Sequence, residues 1–183
     1  MNPYLLIQKQ TIMKKLILLT LIVFGLAAGG YAQSTAFGST TATLIIPISI
    51  AKSVDMNFGT LAGSATAGTV VLGTDGSRSI TGGATIHSGT ITAATFVVTG
   101  EPSKTYTITL PSSAITLTGS VSGTMTVDTY TNDVGTTGTI AVGGTQTINV
   151  GATLHVGADQ VAGTYTNNTQ NVATGLFMTV NYN

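Results

Sequence analysis

From Ala42 to Ile50 the apolar residues fall on every second position: Ala42, Leu44, Ile46, Ile48 and Ile50 alternate with Thr43, Pro47 and Ser49, and only Ile45 breaks the rhythm. Side chains of a β-strand point to opposite faces with period two, so this segment, taken as a strand over 41–50, has one strongly apolar face. Its four large side chains contribute roughly 6 to 12 kcal/mol when they leave water, at about 1.5 to 3 kcal/mol each. A whole domain is stable by only about 5 to 15 kcal/mol. The face must therefore be covered, and two arrangements cover it. In one, 41–50 is the first strand of its own domain, joined through Ala51–Val54 to a strand ending at Phe58. In the other it is donated to a second copy, with Ala51–Ser53 as the hinge. The pattern alone leaves both open.

The period of two continues along the chain. Thr, Val and Ile dominate between glycines, and such β-branched residues fit a pleated, half-buried surface. The alternation predicts strands over 54–58, 69–72, 79–81, 95–99, 105–110, 114–118, 123–130, 145–150, 153–156 and 176–182. No helical periodicity is present from Gln33 onward. Many short strands at short spacing predict an all-β sandwich or barrel, and the absence of a fixed long period excludes a solenoid or propeller. The pair Asp75-Gly76 marks a tight hairpin, Gly100–Lys104 a longer turn, and Pro111, with no amide hydrogen to give, the end of a strand. The Gly- and Thr-rich stretch Asp133–Gly144 is either a loop or an edge ribbon.

The first 32 residues break the pattern. Lys14 and Lys15 precede an apolar run from Leu16 to Ala28, followed by small residues at Gly30 and Ala32. That order is expected of a secretion signal cut after Ala32, with Met13 as an alternative start; the apolar run is shorter than the roughly 20 residues of a membrane span. The expected domains are a signal peptide over 1–32 and a single sandwich over 33–183, exported through a periplasm to the cell surface or medium of a Gram-negative bacterium, with no membrane span after cleavage. Beyond residue 32, Lys52, Arg78 and Lys104 face six carboxylates, a net charge of −3. No basic stripe exists, so nucleic acid is not an expected partner. The chain has no cysteine, which removes disulfides, thiolate metal sites and a lipid anchor.

Candidate chemistry is sparse. His87 and His155 stand far apart, neither with an acidic or second histidine neighbour at ligand spacing, and are expected to be solvent-facing strand residues. Asp75-Gly76-Ser77 starts like a calcium loop but lacks the later ligands. Asp128 and Asp133 flank a short polar stretch and could share a cation, but as well-separated single carboxylates in a polar loop they are expected simply to keep the surface soluble. No serine sits in a nucleophile elbow and no glycine-rich stretch leads into a helix as a phosphate cradle does. Asn167–Thr169 matches a glycosylation acceptor. We expect no catalytic residue, no cofactor and no metal, and hence no enzyme.

Three stretches, "IPISIAKSVDMNFG", "TFVVTGEPSKTYTITLPSSAITLTG" and "GGTQTINVGATLHVGADQVAGTYTN" before a terminal "MTVNYN", resemble the secreted family known as domain of unknown function 4402. More distantly, Asn57-Phe58-Gly59 after the first strand and the ending Gly163, Tyr165, Val180, Tyr182 look like the spore coat U type pilins of archaic chaperone-usher fibres. The resemblance implies an immunoglobulin-like, pilin-like antiparallel β-sandwich that lacks one strand. It also implies self-association by strand donation, with a periplasmic chaperone and an usher as partners. The donor or first strand would be Ala42, Leu44, Ile46, Ile48 and Ile50, and the acceptor edge Leu176, Met178, Val180 and Tyr182. The segment Asn168–Thr174 departs from the family pattern and puts the last hairpin's geometry in question. The expected function is a non-catalytic fimbria-like surface subunit; the alternative is a monomeric adhesin-like module that binds a glycan or surface through 82–89 and 133–144.

Overall fold

A computed structural model describes residues 3–27, 33–167 and 174–183. The chain divides into two compact units, 1–43 and 44–183. In the first, Pro3–Ala27 forms the helix α1, which carries the Lys14-Lys15 pair and most of the apolar run. Among the described residues no helix is long and apolar enough to cross a membrane. The expected cleavage motif at Gly30 and Ala32 lies outside the described residues, as do 168–173 of the segment that departs from the family pattern.

The second unit is all β and antiparallel. In chain order its strands are β1 (Ser49–Val54), β2 (Leu61–Ala62), β3 (Gly68–Leu72), β4 (Arg78–Gly82), β5 (Thr85–Ile86), β6 (Ala94–Thr99) and β7 (Thr105–Thr109). They continue with β8 (Ile115–Gly119), β9 (Thr124–Asn132), β10 (Thr137–Thr139), β11 (Thr145–Val156), β12 (Tyr165–Thr166) and β13 (Thr179–Tyr182). The large sheet runs β1-β6-β11-β9-β8-β12, with β3 and β4 attached to β11; a smaller one runs β10-β7-β13, and β2 pairs with β5. Large and small sheets face each other across one core. Phe96, Val98, Ile148 and Val150 come from the large sheet, Tyr106, Ile108 and Val180 from the small one, and Ile140 from just beyond β10. A second cluster, with Phe58, Val70, Leu72, Val127 and Leu154, continues the core under β3 and β9. The architecture is the expected all-β sandwich.

The β3–β4 hairpin follows from its turn. Asp75 Oδ1 accepts hydrogen bonds from the Ser77 amide at 2.9 Å and the Ser77 hydroxyl at 2.6 Å, and the Gly73 amide donates to Ser77 O at 2.8 Å. These bonds to the charged form hold the Asp75 carboxyl below the usual carboxylate range. Within 133–144 the ribbon prevails over the loop: β10 pairs with β7 through Thr137↔Thr107 and Thr139↔Thr105. Two expected strands, 145–150 and 153–156, are one strand of 12 residues, β11. Gly151 and Thr153 carry an irregularity of register against β9, a bulge that the ladder passes without ending.

The largest correction concerns the opening segment. The strand expected over 41–50 begins only at Ser49 and runs on to Val54, and of the strand expected over 54–58 the rest, 55–58, contributes only the isolated bridge Asn57↔Thr92. The partner explains the shift. β1 pairs with β6 from Val54↔Thr95 up to Ser49↔Thr99, where β6 ends and the chain turns through Glu101–Lys104. Residues before Ser49 therefore have no strand to lie against, and Pro47 has no amide to offer one. The stretch Ala51–Ser53, expected as the hinge, lies within the β1–β6 ladder.

Candidate functional site

An open corner and an exposed arm

The site is the corner where the two sheets leave edges unpaired. Among the described residues β1 pairs only with β6, and β13 only with β7. These two edges come within 8 Å of each other between Cα atoms and form no ladder. In β13 the Asn183 amide donates to Thr105 O and Asn181 O accepts from the Thr107 hydroxyl, so odd-numbered residues direct their main chain toward β7. By the alternation of an antiparallel strand, the N–H and C=O of Val180 and Tyr182 face the open side. An edge of this kind is a template for a further strand.

The expected acceptor residues line this corner. Met178 and Val180 are buried, and Leu176 and Tyr182 are half-buried against the same core cluster. Leu176 and Met178 precede the ladder, since β13 starts at Thr179. The expected donor residues divide. Ile50 in β1 and Ile48 just before it pack on that core, while Ala42, Leu44 and Ile46 lie outside any strand; Leu44 is 99% exposed and Ile46 51%. The opening alternation is thus split between a root, docked in its own sandwich, and an arm that is not.

Tyr182 ties down the base of the arm at Ile46. Its hydroxyl donates to Ile46 O at 2.8 Å and accepts from the Glu101 amide at 2.6 Å, and Glu101 Oε2 accepts from the Ile46 amide at 3.1 Å. Gly100 makes this possible, because a methyl on its Cα would occupy the place of the Tyr182 hydroxyl. Sequence reasoning placed Tyr182 on the acceptor edge and missed Glu101. The visible signal was the Gly-Glu-Pro turn at the end of a strand; its proximity to Ile46 depends on the β1–β6 register.

The remaining candidates

Asn57-Phe58-Gly59 has a structural use. Phe58 is buried in the second core cluster, Asn57 Oδ1 accepts from the Gly59 amide at 2.8 Å, and Gly59 sits at φ +74° against the Arg78 guanidinium. Arg78 donates from Nη1 to Phe58 O at 2.6 Å and from Nη2 to His87 O at 2.9 Å, stapling two crossing segments together. Arg78→Ala is expected to lower unfolding free energy in urea titration by about 1 to 3 kcal/mol, since both carbonyls lose a charged donor.

The expectation that His155 has no acidic neighbour does not hold. Its Nε2 lies 2.8 Å from Asp128 Oδ1 across the β11–β9 ladder, and both side chains are partly exposed. The two residues are 27 positions apart in sequence, so only strand pairing joins them. The His155 hydrogen bond, aided by the Thr129 hydroxyl, holds the Asp128 carboxyl below the usual range. Asp133 instead accepts from Asn149, at 2.9 Å from its amide and 2.8 Å from its Nδ2. The two aspartates thus serve different partners. No group of three or more His, Cys, Asp or Glu among the described residues is placed to hold a metal. His87 is exposed beside β5. The Asn167 side-chain nitrogen donates to Thr116 O and Thr174 O, so the atom a glycan would need is engaged. Tyr130 is half-buried with its hydroxyl on Val127 O, and desolvation together with the Asp128 charge pushes its phenol above the usual range.

A family model described as "Domain of unknown function (DUF4402)" matches residues 48–175. No curated protein and no solved structure matches the chain.

Proposed function

Because the chain belongs to the DUF4402 family through residues 48–175, a span that holds most of the sandwich but neither the exposed arm nor β13, we propose its function from the geometry of those two elements. The protein is an exported structural subunit that polymerises by strand addition: residues 41–45 of one copy, the part of the arm ahead of the residues held in its own chain, pair with the open edge of β13 in the next. The carrying observation is that the arm's apolar side chain Leu44 finds no cover in its own chain, being 99% exposed, while an unpaired edge of the same molecule presents main-chain partners. Extended, those five residues reach about 17 Å, enough to run the length of the four-residue β13. Backbone pairing supplies the affinity and alternate side chains the specificity, which is how an extended segment joins an exposed sheet edge. Leu44 leaving water would add about 1.5 to 3 kcal/mol.

A subunit built this way needs its edge protected in transit, so a periplasmic chaperone that lends a strand and an usher that exchanges it are the partners proposed with it. The test is direct. The full chain, expressed with its leader and recovered from the periplasm, is expected to give a ladder of multimers on unboiled sodium-dodecyl-sulfate gels that collapses on boiling. A single monomer band under both conditions, with monomeric mass in solution, would overturn the proposal.

A further inference from the structure

Resting on that reading, we propose that Glu101 and Tyr182 form a clasp that keeps a subunit's own arm out of its own groove. The arm is covalently attached beside the edge it could fill, so self-insertion competes with donation at an effective concentration no second copy matches. To lie along its own β13, the chain would have to reverse direction at Ile46-Pro47. Both main-chain polar groups of Ile46 are already used, the N–H by Glu101 Oε2 and the C=O by the Tyr182 hydroxyl. Pro47 fixes its own φ and holds the residue before it extended, against the fold of a reversal. The Tyr182 hydroxyl is itself positioned by the Glu101 amide, so one residue from each side of the corner grips the two peptide groups that flank the Ile46 Cα. The clasp thus favours the extended arm, which only another copy can use.

The cysteine-free chain allows a clean assay. Thr43→Cys and Asn181→Cys place thiols on the outward faces of arm and acceptor strand, where a disulfide forms only if the arm lies along β13. In the otherwise unchanged chain, disulfides are expected to link different copies, giving ladders that survive boiling without reductant. Adding Glu101→Ala, or Tyr182→Phe, should shift the product toward internally bridged monomers by about two- to tenfold for each hydrogen bond lost. Amide exchange at Ile46 should accelerate by a similar factor. A thermal melt of each variant checks that the sandwich is intact, and Glu101→Ala, a change at the surface, is the variant that decides if Tyr182→Phe unfolds.

An unchanged ratio of ladder to bridged monomer in the folded clasp variants would overturn the clasp while strand donation stood. Internally bridged monomers as the main product with the clasp intact would overturn it equally. Absence of any ladder, bridged or not, would remove strand donation and the clasp with it.

Discussion

Deleting Phe37–Ile46, with Gln33–Ala36 left behind the expected cleavage site, should abolish every multimer and leave a folded monomer. The structure separates these two outcomes because β1 begins at Ser49 and the core contacts of the opening segment begin at Ile48. To their own domain the deleted residues contribute the partial cover of Ile45 and Ile46, 43% and 51% exposed, and the two hydrogen bonds of Ile46. At about 1 kcal/mol each, their loss lowers the melting temperature by about 4 to 8 °C in a chain of this size. Unboiled gels and a far-ultraviolet circular dichroism melt measure both quantities on one sample. A deletion that unfolds the chain would mean that the arm completes its own sandwich. A deletion carried on to Ile50 would not discriminate, since it cuts into the β1–β6 ladder.

That boundary was the part of the site least legible in the sequence. The alternation from Ala42 to Ile50 is uninterrupted except at Ile45, and nothing in it marks where pairing stops. What ends the strand is the length of a partner some 50 residues away, which runs out at Thr99. The acceptor side was more legible, because Leu176, Met178, Val180 and Tyr182 do share the inward face, although the ladder takes up only the last two. Strands whose period was set by local alternation, such as β3, β6 and β7, appear within a residue or so of where the pattern put them. The strand β10 stayed open between loop and ribbon because it is three residues with Gly138 at the centre, and that glycine is required by the ring of Tyr106 lying against it. The partnership of His155 with Asp128 escaped for the same reason as the arm's boundary: both are properties of register, which hydrophobic period constrains only to a face.

Val180→Pro should disable the acceptor edge without disturbing the donor or the fold. The Val180 amide faces the open side, so its own ladder with β7 loses no hydrogen bond, and proline is tolerated in an edge strand at such a position. The new side chain remains apolar at a buried site, with a cost to the isolated domain of about 1 kcal/mol or so for imperfect packing. An incoming strand, by contrast, loses a donor at the centre of β13 and meets the proline ring in its path. Alone, Val180→Pro is expected to be monomeric on unboiled gels, as is the arm deletion. Mixed after refolding together, the two should form a stable one-to-one dimer and nothing longer, because the deletion retains only a groove and Val180→Pro only an arm. Mass photometry or light scattering reads the outcome. Dimers in the mixture, with monomers in each parent, would require one arm to fill another chain's groove; a mixture that stays monomeric, with both parents folded, would sink that mode of assembly.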